Sequence, residues 1–217
     1  SLGTAPYWFT VSGGEPFLYD ILPFVRALYR HCRPGIINFP TNGLLDKSIP
    51  GQVEAICAGC PDSRIIVNLS LDGVGEKHDR IRGVPGNFDR LLSTYRGLRA
   101  LRSPNLTVGI HSVISKHNVG DMDELVLFAL SLRPDSYITE IAEERVELDT
   151  LGSDVTPSAE SYARAIDSVL ELTGSRGLRG ISRVTEAFRK SYYELVKRIL
   201  AEKTQVIPCY AGWASAH

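Results

Sequence analysis

Tyr7-Trp8-Phe9-Thr10-Val11-Ser12-Gly13-Gly14-Glu15-Pro16, continued by the run from Tyr19 to Tyr29, sets the fold expected of this chain. The first five residues are apolar, aromatic and β-branched, the composition of a buried strand. Gly13 and Gly14 can take positive φ and leave their backbone amides and carbonyls uncovered. Pro16 opens a helix, because the first turn does not need its missing N–H. Ile21, Leu22, Val25, Leu28 and Tyr29 then recur near helical spacing and give that helix a core face. The unit is strand, loop and helix, with a carboxylate, Glu15, at the C-terminal end of the strand. Ligands sit at that end in open α/β sheets and β/α barrels. Alone, Gly-Gly-Glu-Pro reads equally well as a glycine-rich turn with a solvated glutamate.

The same rhythm continues downstream. Ile36 to Pro40 is a short strand ending in Thr41-Asn42-Gly43, and a helix covers Gln52 to Ala58. Arg64 to Leu71 is a strand ending in Asp72-Gly73. A loop from Val74 to Gly83 leads to a helix from Asn87 to Leu101. Leu106 to Ser115 is a strand, and a helix opens at Gly120-Asp121 and runs through Leu132. Tyr137 to Ile141 is the fifth strand. Strands alternating with helices imply a parallel sheet with right-handed crossovers. Glu15, Asn42, Ser70, Asp72, Ser112 and Glu140 all fall at or near strand C-termini. So many polar groups on one rim point to a binding mouth. Beyond Ala142 comes a charged connection, then a helix from Thr156-Pro157-Ser158 to about Thr173, a glycine-containing loop, and a long helix from Ile181 to Lys203.

The totals narrow the class. With 217 residues, formal net charge −1 and 43% hydrophobic residues, the chain is a globular protein with a sizeable core. No basic excess points to nucleic acid, and no apolar run reaches membrane-spanning length. The four cysteines, Cys32, Cys57, Cys60 and Cys209, are too scattered for a secreted disulfide framework, so a cytoplasmic setting is expected. Cys57-x-x-Cys60 lacks the second pair that a zinc ribbon needs and reads as core or loop. Cys32 reads as core, and His111 and His117 lack partners at metal-ligand spacing and read as structural. His78 and Asp79 read as shaping their loop. A complete β/α barrel needs ~250 residues. The abrupt start at a strand and the stop at His217 read as a fragment.

Phe9-Thr10-Val11-Ser12-Gly13-Gly14-Glu15-Pro16, then Thr41-Asn42-Gly43, Ser70-Leu71-Asp72-Gly73 and His78-Asp79-Arg80-Ile81-Arg82-Gly83 together resemble the radical S-adenosylmethionine (radical SAM) enzymes. The branch with SPASM or Twitch auxiliary iron–sulfur domains is the most similar. The resemblance runs from Tyr7 to Ile141 and resumes at Pro208-Cys209-Tyr210-Ala211-Gly212. It implies a partial (β/α)6 barrel truncated at its N-terminus over residues 1–150, with its first βα unit missing. A helical connection over 151–217 would lead to a truncated auxiliary-cluster region. It implies S-adenosylmethionine and a [4Fe–4S] cluster as cofactors, an electron donor as partner, and a small-molecule or peptide substrate from which a hydrogen atom is removed. Peptide or protein maturation follows from the SPASM-like ending.

The resemblance places Gly13, Gly14, Glu15 and Pro16 at the ammonium of S-adenosylmethionine and Ser70 and Asp72 at its ribose or amino-acid part. Arg82 falls opposite its carboxylate, and Asn42 and Ser112 on the rim. A loop cap is the rival reading for Asp72, and a surface ion pair for Arg82. Cys209 resembles the first ligand of an auxiliary iron–sulfur cluster; its rival reading is a buried thiol. One departure is sharp: the family holds its cluster with Cys-x3-Cys-x2-Cys, and no such motif occurs here. Either that segment lies upstream or the chain is a cluster-free relative that binds a peptide or a partner. A conventional barrel enzyme using Glu15, Asp72 and Glu140 as acid–base groups is a third reading.

Overall fold

Five parallel strands lie side by side in sequence order as one open, curled sheet, with helices as crossovers. The computed structural model describes residues 6–144, 150–174, 181–204 and 206–208, and only the backbone of 181–186. The order begins β1 (Trp8–Thr10), α1 (Leu22–Cys32), β2 (Ile36–Thr41), α2 (Ile49–Gly59) and β3 (Arg64–Ser70). It continues α3 (Glu76–Arg82), α4 (Asn87–Ala100), β4 (Leu106–Ile114), α5 (Met122–Ser131) and β5 (Ser136–Ile141), and ends with α6 (Ala159–Gly174) and α7 (Ile181–Glu202). In register, Thr10 lies beside Asn38, Pro40 beside Asn68, Asn68 beside Gly109, and Ser70 beside His111. This is the α/β partial barrel that the alternating pattern predicts.

Strand alternation sorts the side chains onto two faces. Ile37, Phe39 and Thr41, Ile65, Val67 and Leu69, Val108, Ile110 and Ser112, and Tyr137 and Thr139 are all buried. Crossover helices of a parallel sheet must cover such a face. The opposite face carries Thr10, Asn38, Asn68, Ser70, His111, Ser136 and Glu140. Burying an apolar β-strand residue is worth roughly 1.5–3 kcal/mol, so a one-residue slip of any strand would expose its core set and bury these polar groups.

Two compact units divide the chain. One comprises Ser1–Val113 and Glu124–Glu140 and holds the sheet. The other comprises Ile114–Asp123 and Ile141–His217, in which α6 and α7 pack on each other. Tyr162, Ile166, Val169, Tyr193 and Val196 are buried in this second unit, and Lys197 pairs with both Asp167 (2.6 Å) and Glu194 (2.8 Å).

Two local expectations change. Pro16 opens a single 3-10 turn, Pro16–Leu18, and the α-helix starts at Leu22 with Pro23 in its first turn. A helix from Pro16 through Pro23 would need the N–H that Pro23 lacks, so the second proline, not the first, sets the start. The segment expected as a loop from Val74 to Gly83 contains α3, bracketed by Gly75 and Gly83, both with positive φ.

Candidate cofactor-binding site

Glu15 fastens the C-terminal ends of the first two strands together. Its Oε1 accepts from Thr41 Oγ1 (2.8 Å) and Phe17 N (3.2 Å), and its Oε2 accepts from Asn42 N (2.8 Å). A carboxylate offers about four lone-pair sites, so roughly one remains for a ligand on this half-buried group. Gly13 takes φ +137 with nothing near the position of a Cβ, and both Gly13 and Gly14 are exposed. Pro16 sits in the first position of the short turn that Glu15 caps. Asn42 turns its Oδ1 to Leu44 N (2.9 Å) and so shapes the rim with its own amide. The structure thus brings Glu15 and Asn42, 27 residues apart in sequence, to one place.

Asp72 is buried and fully engaged. Its Oδ1 accepts from Val113 N (2.8 Å) and its Oδ2 pairs with Arg82 Nη2 (2.6 Å), with 6% of the Asp72 side chain and 29% of the Arg82 side chain exposed. Its backbone N–H donates to His78 Nδ1 (3.1 Å). His78 is completely buried, and that burial lowers its pKa, the Asp72 charge opposing the effect in part. Because Nδ1 accepts, the neutral ring carries its proton on Nε2, which lies beside the Asn87 amide without a well-formed hydrogen bond. A Cβ on Gly73 would stand 2.8 Å from the backbone nitrogen of His78, so only glycine lets the turn close. Asp79 accepts from Gly86 N (2.6 Å) and Phe88 N (2.8 Å), and the Phe88 N–H above all holds its carboxyl below the usual carboxylate range. Ser70 to Gly83 is therefore one self-braced segment. Arg82 is neither a surface ion pair nor an unpaired cation: it closes back on Asp72.

Ser112, expected on the rim, lies on the helix-covered face. It is fully buried and donates its hydroxyl to Leu71 O (2.5 Å). Ser70, two residues before Asp72, is half-buried on the opposite face, and its hydroxyl makes no hydrogen bond among the described residues. Next to it in register is His111, whose Nε2 is buried without a hydrogen-bond partner and lies 3.5 Å from Glu140 Oε2. Twenty-nine positions separate these two residues, so spacing alone gave no signal of their meeting; the alternation of β4 and β5 was the available clue. Deeper on the same face, Asn38 Nδ2 donates to Thr10 Oγ1 (3.4 Å) and Asn68 Nδ2 to Asn38 Oδ1 (2.9 Å).

The cysteines among the described residues, Cys32, Cys57 and Cys60, lie away from this rim. Cys57 and Cys60 are buried at the end of α2, which feeds the N-terminal end of β3. Burial raises the Cys57 thiol and pushes that of Cys60 up to about 11. Cys32 is buried at the end of α1. Cys209 lies outside the described residues. Among the described residues no group of three His, Cys, Asp or Glu is placed to hold a metal ion, and no helix is long and apolar enough to cross a membrane.

No family model matches the chain. It is 30% identical over 166 residues to Fe-coproporphyrin III synthase of Methanosarcina barkeri, covering 75% of this chain and 38% of that protein. It is 29% identical over 116 residues to pre-heme d1 synthase of Dinoroseobacter shibae, covering 54% and 26% of the two chains. To the AdoMet-dependent heme synthase of Methanosarcina barkeri it is 30% identical over 128 residues, covering 58% and 34%. The chain thus spans between 26% and 38% of the length of these relatives. Among solved structures, TYW1 with a lysine-pyruvate adduct superposes with TM-score 0.53 at 16% identity, covering 76% of this chain and 50% of that one. The anSMEcpe enzyme with bound AdoMet and a peptide superposes with TM-score 0.57 at 15% identity, covering 76% and 45%. The chain therefore has distant relatives among the radical SAM enzymes, and the superpositions show the shared fold.

Proposed function

We propose that this chain is the S-adenosylmethionine-binding core of a radical SAM enzyme. The observation that carries the reading is Glu15, a half-buried carboxylate lashed to Thr41 and Asn42 across two strand ends with acceptor capacity left over. That arrangement suits an ammonium group: a fixed anion beside the bare backbone of Gly13 and Gly14 binds it through charge-assisted hydrogen bonds. Pro16 and Asn42 hold the loop and rim in shape. Asp72, His78 and Arg82 brace the next strand end, which presents Ser70 to the same face. When bound, S-adenosylmethionine supplies a 5′-deoxyadenosyl group that abstracts hydrogen, and the protein's part is orientation and exclusion of water.

The [4Fe–4S] cluster does not fit the residues present, because the sequence has no Cys-x3-Cys-x2-Cys. We place its ligands on a further strand-and-helix unit that pairs with the outer edge of β1. In support, β1 is an end strand of the sheet. A strand edge with unpaired backbone groups is a ready template for a further strand. An auxiliary cluster beyond Cys209 and an electron donor belong to the same proposal, as does the domain division at about residue 150.

For the substrate we propose a tetrapyrrole, a reading favoured by the names of the three curated relatives; a peptide is the competing class, favoured by the peptide-bound structural neighbour. The test is anaerobic reconstitution of the full-length protein with iron and sulfide. S-Adenosylmethionine and dithionite are then added, with Fe-coproporphyrin III or a cysteine-bearing peptide, and 5′-deoxyadenosine is quantified. Nucleoside release is expected, stimulated by the porphyrin. A loaded cluster that yields no 5′-deoxyadenosine would leave the cluster-free binding module as the better reading.

A further inference from the structure

The starts of the first three strands, at the end of the sheet opposite Glu15, frame a cavity of about 550 Å³. β2 runs six residues between the two ends, roughly 17 Å at ~3.3 Å per step. Backbone and side-chain hydrogen bonds knit the wall: Ile36 N to Tyr7 O (3.0 Å), Arg64 N to Gly35 O (2.8 Å) and Ser63 Oγ to Pro34 O (2.6 Å). Tyr7 lays its ring over Gly35, where a Cβ would run into it, and so leans toward β2 rather than the outer edge of β1. That ring is 69% exposed, which leaves its other face open. Tyr29 Oη donates to Asp62 Oδ2 (2.6 Å) on the same wall. Arg30 and Arg33 line the cavity as well, and neither guanidinium has an ion pair or hydrogen bond among the described residues. Basic residues at a helix C-terminus offset its dipole, and Arg30 in the last turn of α1 does so. Arg33 adds a second guanidinium at a left-handed cap, φ 47, where glycine is the usual and easier fit.

We propose that this cavity binds a small ligand joining a phosphate group to a planar ring, as a nucleoside phosphate does. Guanidinium forks match phosphate oxygens in pairs, and two of them answer a multiply charged group. Two guanidiniums against one carboxylate leave the wall net positive, and that carboxylate, Asp62, is already engaged by Tyr29. The open face of Tyr7 takes the ring by stacking, which suits any nucleobase. The remaining Asp62 oxygen accepts from a sugar hydroxyl or an exocyclic amine. The volume falls within the range of small-molecule sites, about 300–1,000 Å³. Every residue of the cavity belongs to the unit that holds the sheet. None of them is shared with the proposed S-adenosylmethionine site, so this second site stands whichever way that reading is decided.

The experiment is isothermal titration of the full-length protein with adenosine 5′-diphosphate, inorganic pyrophosphate and adenosine, each with and without saturating S-adenosylmethionine. The nucleotide should bind equally well in both conditions. Pyrophosphate should bind about fivefold or more weaker, for want of stacking. Arg33→Gly suits the left-handed cap, so its melting temperature should hold while affinity for the nucleotide falls about tenfold or more, the scale of one lost charge-assisted hydrogen bond. Arg30→Ala should weaken the nucleotide to a similar degree, and Tyr7→Ala should bring it down to the level of pyrophosphate. Displacement of the nucleotide by S-adenosylmethionine overturns the proposal, as does undiminished affinity in Arg33→Gly. Equal affinity for pyrophosphate and the nucleotide overturns the seat for the ring. Absence of nucleotide binding to the unmodified protein overturns the site altogether, while release of 5′-deoxyadenosine tests the earlier reading separately.

Discussion

Replacing Arg82 with methionine tests whether this side chain is committed to Asp72 or available to a ligand. The Asp72 side chain is 6% exposed and keeps the Val113 N donor at 2.8 Å when the guanidinium is removed. Breaking a buried ion pair by removing one partner costs about 3–5 kcal/mol. Arg82 itself is 29% exposed, so water screens part of the interaction, and about 2–4 kcal/mol is the expected loss. Asp72→Asn should cost less, about 1.5–3 kcal/mol, because an asparagine oxygen still accepts from Val113 N and the arginine can lean into solvent. The double variant should fall short of the sum by about 1.5 kcal/mol or more, since the two residues share one contact. Urea unfolding followed by far-ultraviolet circular dichroism, with unchanged slope, reads these differences. Stability of Arg82→Met within about 0.5 kcal/mol of the parent, with an additive double variant, would refute the pairing. Arg82 would then stand open to a ligand carboxylate.

Other outcomes follow from neighbouring contacts. Glu15→Ala should lower S-adenosylmethionine affinity and also cost about 1–3 kcal/mol of stability, because Thr41 Oγ1 and Asn42 N lose their acceptor; equilibrium dialysis and a thermal melt measure the two effects separately. Gly73→Ala should destabilise by about 1–3 kcal/mol, since its Cβ would meet backbone 2.8 Å away that no rotamer change can relieve; an unchanged melting temperature would count against the turn as described. His78 gives a pH signature. Burial lowers its pKa from 6.5, so below that value the unfolded chain takes up a proton that the fold resists, and stability drops as the pH falls. Denaturation midpoints between pH 7 and 5 should show this slope, and His78→Asn should flatten it.

The sheet was legible because its signals are local. β-Branched and aromatic runs at Ile36–Phe39, Arg64–Leu71 and Leu106–Ile114 each end in turn residues, and the helices between them fix parallel pairing. Helix starts were less legible, because two prolines competed and the decisive one, Pro23, lay inside what looked like a continuous amphipathic run. At the site, the polar groups at strand ends were readable as a set, but their faces were not. Ser112 and His111 are adjacent in sequence, and alternation sends one under the helices and the other to the open face. The Glu15–Asn42, Asp72–Arg82 and His111–Glu140 contacts join residues 27, 10 and 29 positions apart. Only the folded chain brings such groups together, which is why neither the Arg82 nor the His111 contact could be read from spacing.

The most direct test of the whole account is a crystal structure of the full-length protein soaked with S-adenosylmethionine under anaerobic conditions. The ammonium should lie within ~3 Å of Glu15, the usual charge-assisted hydrogen-bond distance, with the nucleoside on the open face of the sheet that carries Ser70. Density for the nucleoside on the helix-covered side, or a well-ordered ligand that leaves Glu15 untouched, would contradict it.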